Sequence, residues 1–499
     1  MAIETERKFA VDPKAPVPDL SGVVTLGESR LHNLRAVYFD TPDFLLARNR
    51  RTLRRRTGGS DAGWHLKLPA AEDAPPNSRE EVHAPLTDGP GSLSVPAELR
   101  ARVAEIIEYA PLVPVVELIT TRREVDLNDG DKLVALLCDD TVTATRGDKV
   151  RSWREIEVEL AGSGTVATLD AITTAFETAG VPLSESSSKL GIALGKALAK
   201  AEQRREIGRK ASVAEVVGAY LNTQIGVIQG REAEAREDAP DAVHKMRVGV
   251  RRLRSALRTF RPFLDRDRVR ALRTELKWLG EALGGPRDAE VLAAHLIPAV
   301  QALPEEAVVG PVLDRITAEL KVRHATTHGA MVQALDSDRF RLLTDALAEW
   351  AVAPPFNDYG AARAKGLLPE RLEQVGRRTL KEWKAAEKLD GEEQLHGWHE
   401  TRKRAKQARY AWEAAIPALG ETATTAAEAW EQVTEALGVV QDAVVAREAI
   451  RGLADTATEH GESSFTYGVL YEHEIERTAN FHAEAVDAIR VARKLSVEG

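Results

Sequence analysis

The 499-residue chain has little cysteine, no long apolar run and no excess of positive charge. Its one cysteine, Cys138, excludes an intrachain disulfide and any zinc site built on several thiolates. Such usage fits a reducing compartment. No stretch approaches the ~18 apolar residues that read as a membrane span. The N-terminus is charged from residue 4 and has no apolar core, so no signal peptide is expected. With 68 basic against 77 acidic residues the formal charge is −9, which argues against coating nucleic acid through an overall field. Any polyanion site must be a local basic concentration. The expectation is a soluble, cytoplasmic protein. Apolar residues reach 43%, enough for sizeable cores, and ~150 residues per unit predicts about three folding units.

Two periodicities divide the chain. Period-two segments recur at 3–9, 34–40, 52–57, 63–68, 79–84, 115–127, 132–145 and 150–160, separated by Gly, Pro, Asp and Asn. Helical patterns interrupt at 95–109, 165–179 and 188–203. This predicts an α+β unit over 1–201 whose eight or so antiparallel strands curl into a closed or nearly closed barrel. A charged connection follows at 202–211. From 212 to 499 the period is 3.6, opened by the capping-box signature Ser212-Val-Ala-Glu215. The stretch Ala353-Pro-Pro-Phe-Asn-Asp-Tyr-Gly360 splits this all-α unit into halves of about 212–351 and 361–499.

An internal repeat supports the split. His244 is followed by Arg247, Arg251 and Arg254, and His399 by Arg402, Lys406 and Arg409, with offsets of 3, 7 and 10 in both copies. Downstream, Glu281-Ala-Leu-Gly-Gly-Pro-Arg-Asp288 is matched by Glu435-Ala-Leu-Gly-Val-Val-Gln-Asp442. At about 100° per residue each set falls within a sector of about 80°, so each forms a stripe on one helix face. From His244 to Arg261 there are seven Lys or Arg, including Arg252, and no acid. Such a run is usually a solvated face with acidic partners at i+4. Their absence points to an extended polyanion supplied from outside. Nucleic acid ranks last, because no aromatic residue interleaves the first stripe and the net charge is negative. Trp398 and Tyr410, beside the second stripe, read as core residues.

In the first half, Glu4, Glu6 and Lys8 share a strand face, as do Arg54 and Arg56. Lys67 follows. Arg79, Glu81 and His83 share a parity, Arg123 ends the face of Ile119 and Thr121, and Glu155, Glu157 and Glu159 alternate near the last strand. Two orientations fit. Charges pointing outward would surround an apolar core. Charges pointing inward would need a compensating polyanion and metal ions, making the barrel a ligand tunnel.

These motifs, in this order, resemble the CYTH family, the triphosphate tunnel metalloenzymes. Glu4-Thr-Glu-Arg-Lys8 is similar to its ExExK signature, Tyr38-Phe-Asp-Thr41 to its second-strand motif and Leu53-Arg-Arg-Arg56 to its LRxR strand. Trp64-His-Leu-Lys67, Glu155-Ile-Glu-Val-Glu-Leu160 and Ser188-Lys189 continue the likeness over about 200 residues. The resemblance implies an eight-stranded tunnel that binds a triphosphate with Mg²⁺ or Mn²⁺. Glu4 and Glu6, with Glu157 and Glu159, would hold metal. Lys8, Arg54, Arg56, Lys67, Arg79, Arg123 and Lys189 would grip phosphate oxygens, and Glu4, Glu6 and Lys8 would form the catalytic core. Members include tripolyphosphatases, thiamine triphosphatases, RNA triphosphatases and one class of adenylate cyclase. Two departures stand out. Asp139-Asp-Thr141 replaces a common Asp-x-Gly turn and leaves open which aspartate faces inward, and His83 replaces an acidic residue.

The duplicated His-x-x-Arg helices resemble the CHAD family of conserved-histidine α-helical domains. That implies two pseudo-symmetric four-helix bundles binding inorganic polyphosphate in a basic groove. The groove residues would be His244, Arg247, Arg251, Arg252, Arg254, His399, Arg402, Lys403, Lys406 and Arg409. Lys406 stands where the first copy has Arg251, and Gln441 where it has Arg287, which predicts a weaker second half-site. Asp288 and Asp442 are expected to orient arginines or cap helices. The joint expectation is an inorganic triphosphatase tethered to a polyphosphate-binding module that would associate it with polyphosphate granules, since a tether raises local substrate concentration. The alternatives are a non-catalytic polyphosphate-binding protein, or a tunnel acting on thiamine triphosphate or ATP.

Overall fold

The computed structural model describes residues 2–59, 61–69, 78–86, 95–108, 110–184, 188–202, 207–478 and 481–495. The chain forms two compact units, Met1–Arg204 and Arg205–Gly499.

In the first unit every expected strand is present. The eight are β1 (Ala2–Ala10), β2 (Thr25–Asp40), β3 (Thr52–Thr57), β4 (Gly63–Pro69), β5 (Ser78–Ala84), β6 (Val113–Asp129), β7 (Lys132–Arg146) and β8 (Lys149–Leu160). They are ordered β1-β5-β4-β3-β2-β6-β7-β8, all neighbours are antiparallel, and β8 pairs with β1 to close the barrel. The β1–β8 register sets Glu6 opposite Glu159 and Lys8 opposite Glu157.

The barrel is inverted relative to an ordinary core. Phe9, Val125, Leu127, Ile156 and Val158 point outward, opposite in parity to the charged residues, and are buried under Leu169, Ile172 and Phe176 of the helix Val166–Thr178. Leu53, Trp64 and Leu66 likewise pack beneath Leu99, Val103 and Ile107. Because helices cover the outer apolar faces, the lumen is left to polar groups. One end of it is filled by Ala36, Val116, Leu118, Val142 and Ala144 against Leu190 and Leu194 of the helix Lys189–Leu194. Charge-inward is therefore the orientation adopted.

The second unit comprises α1 (Val213–Gly230), α2 (Glu232–Arg236), α3 (Ala242–Thr259), α4 (Arg266–Ala282), α5 (Gly284–Gln301), α6 (Val312–Leu335) and α7 (Asp338–Val352) in its first half. The second half has α8 (Ala364–Ala386), α9 (Gly391–Leu419), α10 (Glu421–Glu459), α11 (Phe465–Arg477) and α12 (Phe481–Leu495). Ser212 and Glu215 form the reciprocal cap, at 3.2 Å and 2.7 Å. The two halves are pseudo-symmetric helical bundles. Their stripe-bearing helices α3 and α9 pack against each other, and a core of Leu292, Leu296 and Ile316 with Ile450, Leu453 and Tyr467 spans both halves.

Candidate active site and anion-binding surface

The barrel lumen is a cavity of about 230 Å³ lined by Glu6, Lys8, Arg54, Arg56, Lys67, Arg79, Glu157, Glu159 and Lys189. Those nine expected residues are thus brought together. Glu4 lies on the same strand in register with Arg79, but its side chain falls outside the described residues. Arg123 is not in the lumen: it is exposed, and its Nε donates to Ser29 Oγ at 3.2 Å. Its neighbour Arg122 faces inward instead. The face of Ile119 and Thr121 is the solvent face, Ile119 being 55% exposed, so the expected parity of β6 is inverted. Asp140 is the inward aspartate, fully buried, while Asp139 pairs outward with Arg154 at 2.7 Å. His83 is exposed and packs edge-on against the His65 ring.

Charge in the lumen is internally matched. Lys189 Nζ sits 2.9 Å from Asp140, 2.7 Å from Glu155 and 2.7 Å from Glu157. Arg122 donates to Asp140 at 2.8 and 2.7 Å and to Glu157 at 2.9 Å. Lys8 pairs with Glu157 and, at 3.2 Å, with Glu6. Burial alone would raise the Glu157 carboxyl, but Lys189, Lys8 and Arg122 hold it well below the usual range. Burial would likewise lower Lys189, yet the three carboxylates hold it well above. Lys8 is also raised, since Glu157 and Glu6 outweigh its burial. Glu159 behaves oppositely: burial, Glu6 and Glu157 push its carboxyl up.

In the helical unit the two stripes merge. Arg251 Nε donates to the Tyr410 hydroxyl at 3.1 Å, so buried Tyr410 serves the stripe as well as the core. Trp398 stacks on Trp383 and meets Phe481 edge-on. Lys406 is pushed down to about 7 by burial and by Arg402, Arg251 and Arg247, cations of both halves. His244 and His399 are lowered by burial and by their nearest cations, Arg287 and Lys403. Asp288 pairs with Arg247 at 2.8 Å and Asp442 approaches Arg402 at 3.9 Å, the same role in both copies. The expected lack of acidic partners holds only in part. Arg252 meets Glu413 of α9 at 3.3 Å and Arg409 meets Glu431 of α10 at 2.6 Å, while within α9 itself Lys403 meets Glu400 at 2.7 Å and Arg409 meets Glu413 at 2.8 Å. Arg254 is half-buried, which lowers it.

A second cavity, of about 220 Å³, lies between the half-bundles and was not foreseen. Arg258, Arg261, Arg273, Arg371, Arg378 and Arg404 line it. Arg404 pairs with Glu382 at 2.7 Å. Among the described residues the other five make no ion pair with a carboxylate. Burial and neighbouring arginines lower Arg258, Arg273 and Arg371. Arg258 continues the stripe at offset 14 from His244, and Arg261 ends the same basic run in the turn after α3; Arg273, Arg371, Arg378 and Arg404 come from α4, α8 and α9 with no shared period.

The CYTH domain family matches residues 2–190 and the CHAD domain family residues 219–451. The uncharacterized protein Rv2226 of Mycobacterium tuberculosis is 34% identical over 511 aligned positions, covering 98% of this chain and 96% of its own length. The chain belongs to the CYTH–CHAD proteins. The CHAD domain of Ricinus communis is 26% identical, with a TM-score of 0.47, over 57% of this chain and 94% of that one. HpAC1 of Hippeastrum, described as having a dominant triphosphatase activity, is 18% identical with a TM-score of 0.26, over 39% of this chain and 96% of that one.

CYTH domains are divalent-metal-dependent and act on triphosphates, and the donor set of this CYTH lumen fits such an ion. Asp140, Glu155 and Glu157 stand close enough to share a cation, but Lys189 and Arg122 already engage them. Glu159 has no ion pair among the described residues, and burial, with repulsion from Glu6 and Glu157, raises its carboxyl against the pull of Lys67. Among the described residues, Glu159, which has no ion pair, and Glu6, which Lys8 meets at 3.2 Å, are the carboxylates that could hold such an ion. His32 and Glu124, which the sequence reading missed, also line the lumen. No helix among the described residues is long and apolar enough to cross a membrane.

Proposed function

We propose that the CYTH lumen hydrolyses inorganic triphosphate and that the CHAD unit binds inorganic polyphosphate. The observation that carries the first part is the division of the lumen into two sides. Arg54, Arg56, Arg79 and Lys67 offer donors for phosphate oxygens, while Glu6 and Glu159 hold the charge that a Mg²⁺ or Mn²⁺ ion would neutralise. The ion would supply charge neutralisation and an activated water. The chain's own groups bind and orient the substrate: guanidinium forks fix the equatorial oxygens, and Lys8, held protonated by Glu157 and Glu6, stays cationic at neutral pH. Tyr38 is the sole Phe, Tyr or Trp among the described lining residues, and its hydroxyl is engaged by Arg54. A base-stacking platform is thus lacking among them, which favours an inorganic substrate. Support for polyphosphate comes from the merged stripes and the arginine cavity, whose charge has few internal partners.

Phosphate release from tripolyphosphate, long-chain polyphosphate, ATP and thiamine triphosphate, with each metal, tests the reading. Tripolyphosphate turnover lost in Glu6→Gln/Glu159→Gln, with polyphosphate retention unchanged, is the expected result. Equal rates in wild type and variant, or cyclic AMP from ATP as the main product, would overturn it.

A further inference from the structure

The first CHAD half carries a cluster that neither the lumen nor the basic stripes use. His324 and His328 stand one turn apart on α6, their rings stacked at 6.0 Å. Facing them are Asp238, in the loop between α2 and α3 at φ 55°, and Glu290 on α5. His324 Nε2 lies 3.5 Å from Asp238 Oδ1 and 3.6 Å from Glu290 Oε1, and His328 Nε2 lies 3.7 Å from the same Asp238 oxygen.

These separations are long for hydrogen bonds, which centre near 2.9 Å. They are close to the edges of a ligand tetrahedron: with metal–ligand bonds of about 2.0–2.1 Å the donors stand about 3.3–3.4 Å apart. The carboxylates are also turned suitably. Arg287 engages the other oxygen of Glu290, Oε2, at 2.8 Å, leaving Oε1 toward the histidine. With neutral imidazoles the cluster carries two negative charges, matching a divalent ion. Paired imidazoles select a borderline transition ion over magnesium.

We propose that Asp238, Glu290 and His324 form a binding site for zinc or a similar divalent transition ion. The donor atoms of these three lie within 4.8 Å of one another; His328 stands outside that set and would join as fourth ligand by turning from its 2.9 Å bond to the Ala235 carbonyl. The site ties α5, α6 and the α2–α3 loop together beside Arg287, which borders His244 at the start of the first stripe. It belongs to one half only: two residues past Asp288 lies Glu290, but two past Asp442 lies Val444.

The test uses the full chain, stripped with chelator and titrated with Co²⁺ and Zn²⁺. The expected result is one Co²⁺ per chain with the visible bands of tetrahedral coordination, displaced by Zn²⁺, and a zinc-dependent rise in melting temperature. His324→Ala should weaken binding by about a hundredfold or more and remove the bands. His328→Ala should weaken it less. Glu6→Gln/Glu159→Gln, which alters the lumen, should keep the bands. Tetrahedral bands that survive in both His324→Ala and Asp238→Asn/Glu290→Gln would overturn the proposal, as would bands lost only in the lumen variant or no bands at all. If His324→Ala does not fold, the Asp238→Asn/Glu290→Gln chain provides the same reading.

Discussion

The two units handle concentrated charge in opposite ways. In the barrel the lumen cations Lys189, Arg122 and Lys8 have carboxylates within contact distance, so they are held charged and Glu157 is held ionised. In the helical unit, arginines of the second cavity face mainly one another, and their affinity for protons falls. The barrel is therefore a pre-organised site that is electrically coherent before its ligand arrives, as a catalytic lumen requires. On the proposed reading, the helical surface is an incomplete salt that a bound anion would complete.

Removing an internal partner from the barrel should break this contrast most severely. Lys189→Met leaves Asp140, Glu155 and Glu157 buried together, and breaking a buried ion network costs about 3–5 kcal/mol. Urea denaturation should show that loss, and phosphate release should fall with it. Partial recovery of stability by Mg²⁺ would show the triad accepting an ion once the ammonium is gone. An unchanged unfolding midpoint would contradict the matched-charge account.

The same operation on the helical side should do the reverse. Arg258→Gln/Arg378→Gln removes like charges that repel, so the melting temperature should hold or rise. Polyphosphate affinity should drop about tenfold per charge removed, and less steeply with salt thereafter. Retention assays at two salt concentrations alongside calorimetry would measure both. A parallel fall in stability and affinity would mean that these arginines hold the bundles together.

Lys406 sharpens the comparison through pH. Its folded value is about 7 against an ordinary 10.5. Between those values the unfolded chain holds a proton that the folded chain has released, so this residue makes stability rise with pH from about 7 to about 10.5. A bound anion favours the ammonium, so polyphosphate affinity should decline over the same window as a proton must be taken up. Lys406→Met should flatten both dependences relative to wild type, as read by pH-jump denaturation and binding isotherms.

What the sequence made legible follows from periodicity. Strand existence and the change to helices were visible because charged residues alternate on β1, β3 and β8 and repeat at 3 and 7 on α3 and α9. The first part of β2, residues 25–33, was not visible: it is mostly exposed and pairs with β6, so no apolar face marks it. The arginine cavity escaped because four helices and the turn after α3 build it, each contributing one or two arginines. The Arg252–Glu413 pair was hidden for the same reason, since ion pairs between helices leave no spacing to read, whereas Glu413 four residues after Arg409 was legible.

The smallest expected effect concerns Arg123, and it isolates the same lesson in one position. Adjacent strand residues point to opposite faces, and β6 carries Arg122 and Arg123 in succession between residues that give contradictory cues. Leu118 looks like core and packs at the plugged end of the lumen, while Ile119 looks like core and faces solvent. A single apolar residue therefore misassigns the whole strand. Among the described residues Arg123 holds only Ser29 at the surface, so Arg123→Ala should leave turnover unchanged and stability within about 0.5 kcal/mol. Arg122→Ala, by contrast, strips Asp140 and Glu157 of a buried donor and should abolish turnover. If instead the Arg123 variant is inactive and the Arg122 variant is not, the register of β6 in the barrel is wrong, and with it the assignment of every lumen residue on that strand.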